Sequence, residues 1–262
     1  MVNLATALLS DSAFSKAIDQ AVNHITAEVR NMTYDAPTWP QFQPTWWVTA
    51  EQPIEAVAYM TSRHGLSHLN ETAEALRKLP ADHRRQLLDN TTSLVGLNSG
   101  GGLVEALFRE LGIGTSTTYL LDHNNACGTY SKMLFQKLGH TDLKFVNVLD
   151  QLSGIPKLPS DTLVTASHAL NVRYNVQTEQ NKLIAQNACA LRRIESQSGS
   201  VTQFFSLEPT RGKHKIDDLL EPFRNRGARI FYHQQCTVDY RGTSWMNANR
   251  GGKTASWASA TH

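Results

Sequence analysis

Cysteine is scarce in this chain. Cys127, Cys189 and Cys236 are the three among 262 residues, odd in number and widely spaced, so they frame neither a disulfide scaffold nor a zinc site. A reducing, cytoplasmic setting is the expectation that follows. No run approaches the roughly eighteen apolar residues of a membrane-spanning helix, so no membrane partner is expected. The first residues lack a basic leader, and Ser10, Asp11 and Ser12 interrupt their apolar stretch, unlike a secretory signal. The sequons at Asn31, Asn70 and Asn90 therefore carry no glycosylation reading. Charge of one sign is also lacking: 25 Lys and Arg against 23 Asp and Glu leave a net +2. So small an excess does not imply nucleic-acid binding, although it permits a local basic patch. With 40% apolar and 18% charged residues, wholesale disorder is excluded and one substantial core is expected.

The N-terminal third reads as helical. Phe14, Ile18, Val22, Ile25, Val29 and Met32 recur at four- and three-residue intervals, the stripe of an amphipathic helix. Its polar face is not basic, which favours packing on the domain over membrane binding. Pro37, Pro40, Pro44 and Pro53, set among Trp39, Phe42, Trp46 and Trp47, exclude a continuous helix there. That segment is either a packed connector or a lid over a site. Helices are expected over Ile54–Leu69 and Glu71–Leu79, with a short third beginning at Pro80-Ala81-Asp82. His64 and His68, four apart, have metal-ligand spacing but no third partner, so no metal is expected.

From residue 91 onward, strand and helix patterns alternate, as in a parallel sheet covered on both faces. The expected strands are Ser93–Asn98, Thr117–Asp122, Lys144–Val148, Thr162–Ser167, Val201–Leu207 and Arg229–Tyr232. Helices are expected near Gly102–Leu111, Ala126–Leu138, Glu179–Arg193 and Lys215–Arg226. The last twenty or so residues, rich in Gly, Ser, Thr and Asn, suggest an antiparallel strand near Ser244–Asn247 followed by a tail. The reading is an α/β fold: a Rossmann-like, mostly parallel sheet with helices on both faces, over residues 91–262, preceded by a helical cap over residues 1–90.

The most informative stretch is Leu94-Val95-Gly96-Leu97-Asn98-Ser99-Gly100-Gly101-Gly102, followed by the helical spacing Leu103, Leu107, Leu111. A strand, a tight glycine turn and a helix let backbone approach a ligand closely. About twenty residues on, Asp122 ends the next strand, where a carboxylate can accept both hydroxyls of a ribose. These features point to a nucleoside-containing cofactor. The dinucleotide pattern G-x-G-x-x-G is absent, because its third glycine would fall at Glu105, and this disfavours NAD and FAD.

Leu94–Gly102 resembles the first motif of the class I S-adenosylmethionine-dependent methyltransferases, an acid-x-Gly-x-Gly-x-Gly loop after the first strand. Asp122 is similar to that family's second-strand acid, Asp161–Leu170 to its fourth-strand motif, and Ser200–Pro209 to its fifth strand ending in Glu-Pro. The four landmarks stand in the family's order. Two positions depart from it: Gly96 replaces the acid, and Asn98 replaces the first loop glycine. The resemblance implies S-adenosylmethionine as cofactor. It implies contacts from Gly96, Asn98, Ser99, Gly100, Gly102, Asp122, His123, Asp150 and Ser167. Asp150 is equally readable as a turn cap.

The resemblance places His168 and Glu208 where groups face the methyl donor and the acceptor. His168 is open to two roles: a general base near neutrality, or a hydrogen-bonding neighbour of the cofactor. Glu208 is a second base, a substrate-orienting carboxylate or a turn cap; Asn171 and Tyr174 lie close enough in sequence to touch the acceptor. Methyl transfer to an oxygen, nitrogen or carbon of a small molecule is the leading expectation. The alternative is a protein of the same fold that methylates or merely binds RNA or a protein partner. A homodimer through the N-terminal helices is a further expectation.

Overall fold

The computed structural model describes residues 13–32, 53–62, 66–89, 91–114, 116–147, 158–159, 161–167, 203–209, 220–221, 223–238 and 253–261. The N-terminal helices are α1 (Ala13–Met32), α2 (Ile54–Met60), α3 (Leu66–Lys78) and α4 (Ala81–Asp89). The amphipathic stripe of α1 is its buried side: Ile18, Val22, Ile25 and Val29 are almost wholly excluded from solvent. Of the helix expected over Ile54–Leu69, Ile54–Met60 lies in α2 and Leu66–Leu69 in α3, and residues 63–65 between them lie outside the described residues. The break expected at Asn70 does not occur, because the apolar face of α3 (Leu69, Ala73, Leu76) runs through it.

Beyond α4 come β1 (Ser93–Leu97), α5 (Leu103–Glu110), β2 (Thr117–Asp122), α6 (Asn125–Lys137), β3 (Leu143–Asn147), β4 (Thr162–Ser167), β5 (Gln203–Pro209), β6 (Arg229–Val238) and β7 (Lys253–Thr261). They form one sheet in the order β3-β2-β1-β4-β5-β7-β6. The pairs β3–β2, β2–β1, β1–β4 and β4–β5 are parallel, while β7 runs antiparallel to both β5 and β6. The first five strands therefore take the doubly wound order, with the chain reversing direction across the sheet between β1 and β4. The fold is Rossmann-like.

β1 and β3 differ from expectation by one residue at their ends, and β6, expected over Arg229–Tyr232, runs on to Val238 in its pairing with β7. β5 runs on through Glu208 and Pro209, which pair with Ser256 and Ala255. The antiparallel strand is β7, in the stretch taken for a tail, whereas 244–247 lies outside the described residues. Lys253–Thr261 is rich in Ala, Ser and Thr and shows little apolar alternation. Backbone pairing on both sides, with β5 and with β6, holds it in the sheet. The helix expected over 179–193 lies outside the described residues. Of the helix expected over 215–226, Leu220, Glu221 and Phe223–Asn225 are helical.

Side chains on both faces of the central strands are buried: Leu94 and Val95, Leu120 and Leu121, Leu163 and Val164. Leu94, Gly96, Leu120, Thr165 and Phe205 share one face by register. That face packs on α5 and α6, with Phe108 of α5 set edge-on to Phe205 at 5.9 Å. The N-terminal helices join the same core, α1 lying on α2, α5 and α6 and α3 on α5. Among the described residues, no helix is long and apolar enough to cross a membrane.

Candidate functional site

β1 delivers the chain into a turn with three left-handed residues, Asn98 (φ 50°), Gly100 (φ 55°) and Gly102 (φ 73°). Glycine adopts these angles freely, and Asn is among the residues that tolerate them best. The Ser99 N–H donates to the Leu121 carbonyl at 3.2 Å, and the Gly102 N–H returns to the Ser99 carbonyl at 2.9 Å. A Cβ on Gly101 would lie 2.6 Å from Thr61 Oγ1, so the chain just past α2 rests directly against the turn.

Asp122, at the end of β2, fastens the turn. Its Oδ2 accepts the Gly100 N–H at 2.8 Å and its Oδ1 accepts the Asn124 N–H at 3.0 Å. The carboxylate is buried, 3.2 Å from His123 Nδ1. The Cys127 thiol also bonds to it; burial first, then that carboxylate, pushes the thiol well above its ordinary pKa, which keeps it protonated. Asn124 caps α6, its side-chain oxygen accepting the Ala126 N–H at 2.9 Å. Asn147, the last residue of β3, donates to Asn125 Oδ1 at 2.9 Å and so stitches β3 to the same corner.

A second carboxylate stands at the first turn of α5. Glu105 is 2% exposed, and its Oε1 accepts from Thr165 Oγ1 of β4 at 2.5 Å. It occupies the space that Gly96 leaves open: a Cβ on Gly96 would meet Glu105 Cδ and Oε1 at 2.6 Å. Burial raises its pKa from 4.5 to about 7, and Asp122 adds to the rise, against the hydrogen bonds from Thr165 and its own backbone N–H.

Among the described residues, the buried polar atoms here without a hydrogen-bond partner include Ser99 Oγ in the turn, Glu105 Oε2, Ser167 Oγ at the end of β4, and Asn124 Nδ2. β1 and β4 are neighbours, with Gly96 opposite Thr165. Ser99 follows β1, Ser167 ends β4, and Glu105 reaches Gly96 and Thr165 of these two strands from α5. The reversal of strand order between β1 and β4 is where open parallel sheets bind ligands. Buried polar groups are rarely left unsatisfied, and such a group calls for an occupant.

No protein-family model matches this chain, and no curated protein sequence is similar to it. Solved structures similar to it include magnesium protoporphyrin IX methyltransferase from Synechocystis PCC 6803 with bound S-adenosylmethionine (12% identity, TM-score 0.47, covering 90% of this chain and 96% of that one). Another is precorrin-6y C5,15-methyltransferase from Geobacter metallireducens GS-15 (11% identity, TM-score 0.45, 70% and 90%). A third is a tRNA methyltransferase from Aquifex aeolicus (12% identity, TM-score 0.44, 74% and 68%). All three are methyltransferases.

The structure brings Gly96, Asn98, Ser99, Gly100, Gly102, Asp122, His123 and Ser167 to one corner of the sheet, around the ends of β1, β2 and β4. Asp150, His168, Asn171 and Tyr174 lie outside the described residues, as does the Trp39–Trp47 connector. Glu208 is placed by its backbone at the end of β5. Glu105 and Thr165 escaped the sequence reading. The available signal was an acid inside the apolar run Leu103-Val104-Glu105-Ala106-Leu107-Phe108, one helical turn past a strand glycine with no side chain.

Proposed function

We propose that this chain binds S-adenosylmethionine at the carboxyl ends of β1, β2 and β4 and transfers its methyl group to an oxygen, nitrogen or carbon of a small-molecule acceptor. The observation that carries this reading is the trio of unpartnered buried atoms, Ser99 Oγ, Glu105 Oε2 and Ser167 Oγ, around the glycine turn. Their chemistry fits the cofactor: two hydroxyls and a carboxylate can meet the hydroxyl and amino-acid groups of an adenosylated amino acid. When bound, S-adenosylmethionine supplies a methyl group on a sulfonium sulfur, open to in-line attack.

The chain's own residues do the rest. Asp122 uses three of its roughly four acceptor sites on Gly100, Asn124 and the Cys127 thiol, leaving one for a ribose hydroxyl. His123 packs beside the adenosine, Asp150 is assigned the adenine amino group from its place in the sequence, and Ser99, Gly100 and Gly102 let backbone close on the ligand. His168 removes a proton from an acceptor that is not already nucleophilic, and Glu208 orients that acceptor. Alignment of the two reactants supplies most of the acceleration. Residues 1–90 act as the helical cap, resting on the turn through Thr61.

Incubation of the protein with methyl-labelled S-adenosylmethionine and separated small-molecule and RNA fractions of a cell extract tests the reading. Label is expected in the small-molecule fraction. Label confined to ribonuclease-sensitive material would move the acceptor to RNA, and no transfer to any fraction would contradict the enzymatic reading.

A further inference from the structure

Glu105 is a carboxylate buried without a countercharge among the described residues. Its Oε1 is held by the Thr165 hydroxyl, its Oε2 has no partner, and Asp122 on β2 is the charged group acting on it among the described residues. The cation nearest in sequence, Arg109, sits one turn along α5 but is turned away. Its guanidinium donates to the Gly114 carbonyl and pairs with Asp142 at 2.8 Å. Asp122, on β2, is engaged by the Gly100 and Asn124 amides and the Cys127 thiol and has the His123 ring 3.2 Å away. A buried ionised carboxylate is costly unless it is paired, and among the described residues Glu105 has no cation beside it, so its free oxygen asks for positive charge from a ligand.

The position of Glu105 says where that charge comes in. Its carboxyl lies over Gly96 and against Thr165, each just short of the carboxyl end of its strand, and Gly96 and Glu105 flank the glycine turn in the chain. Any side chain at position 96 would displace it. The strand glycine and the helix acid are thus a matched pair: the glycine empties the space and α5 fills it with a carboxylate.

We propose that Glu105 receives the ammonium group of the cofactor's amino-acid moiety, so that the acid missing from β1 at position 96 is delivered from α5. Glu105 is then a ligand-binding residue, with Thr165 positioning it. This rests on the cofactor reading above.

Calorimetric titration with two thioethers tests it: S-adenosylhomocysteine, which carries the amino-acid moiety, and methylthioadenosine, which lacks it. Glu105→Gln is expected to weaken S-adenosylhomocysteine by about ten- to a hundredfold, the loss of one charge-assisted hydrogen bond, and to leave methylthioadenosine unchanged. In the unaltered protein, the affinity for S-adenosylhomocysteine is expected to rise between about pH 6 and about pH 7.5 as Glu105 ionises, and in the variant that rise should vanish. A melting curve for the variant establishes that it is folded. Equal affinity of both proteins for S-adenosylhomocysteine would overturn the role of Glu105 while leaving the cofactor reading intact. So would equal weakening of both ligands, or affinity that falls with pH, the sign of a protonated acid donating to the ligand. Failure of the unaltered protein to bind either thioether would overturn the cofactor reading, and this proposal with it.

Discussion

Raising the pH from about 4 to about 8 should take roughly 3 kcal/mol of stability from the ligand-free protein through Glu105 alone, and Glu105→Gln should abolish that loss. The carboxyl titrates near 4.5 when the chain is unfolded and near 7 when folded, because burial disfavours its charged form. Between those values the folded state binds the extra proton, so stability falls as pH rises through the folded pKa. The difference of about 2.5 units between the two pKa values corresponds to roughly 3 kcal/mol at 1.36 kcal/mol per unit. His83 works in the opposite direction lower on the scale. Burial, aided by Arg229, lowers its pKa below 6.5, so the unfolded chain binds its proton first and stability falls as pH drops below about 6.5. The two effects overlap in the whole curve, and the difference between the unaltered protein and Glu105→Gln isolates the carboxyl. Urea unfolding of both proteins at a series of pH values measures it. Parallel curves would mean that Glu105 is not buried as a titrating acid.

Asp122→Ala should be the most disruptive single change at the site, costing roughly 3–5 kcal/mol. The carboxylate accepts two backbone N–H groups, and hydrogen bonds to a charged acceptor contribute about 1.5–3 kcal/mol each. Removing it leaves the buried Asn124 amide without its acceptor and frees Gly100 from β2. Asp122→Asn keeps one side-chain oxygen and should lose about half as much. Chemical denaturation compares the three proteins directly. A change within about 1 kcal/mol for Asp122→Ala would show that the turn is held by its own backbone bonds, such as Ser99 N–H to Leu121, rather than by the acid. The result also bears on binding experiments. Because Asp122 shapes the turn, loss of ligand binding in Asp122→Ala mixes a broken loop with a lost ribose contact, and Asp122→Asn separates the two.

How legible each element was depended on what stabilises it. β1, β2 and β4 have buried residues on both faces, so they appear as short apolar runs, and their observed bounds lie within one residue of those expected. α1 was legible from Ile18, Val22, Ile25 and Val29, since one packed face imposes the helical period. β7 was not legible: Lys253–Thr261 has few residues of high strand propensity and takes its conformation from the two strands beside it. Within the site, Asp122 could be found because the glycine turn dictates its distance along the chain. Glu105 could not, because an acid in the first turn of a helix ordinarily complements the helix dipole at the surface. That Glu105 points inward depends on Gly96 having no side chain and on Thr165 arriving from a strand sixty residues away.

The central claim is that the glycine turn of β1–α5 is a site for an adenosylated amino acid. Calorimetric titration of the intact protein with S-adenosylmethionine and S-adenosylhomocysteine, with NADH as control, tests it most directly. The account predicts saturable, one-to-one binding of the first two and none of NADH. Binding of NADH alone, or of none of the three, would contradict it.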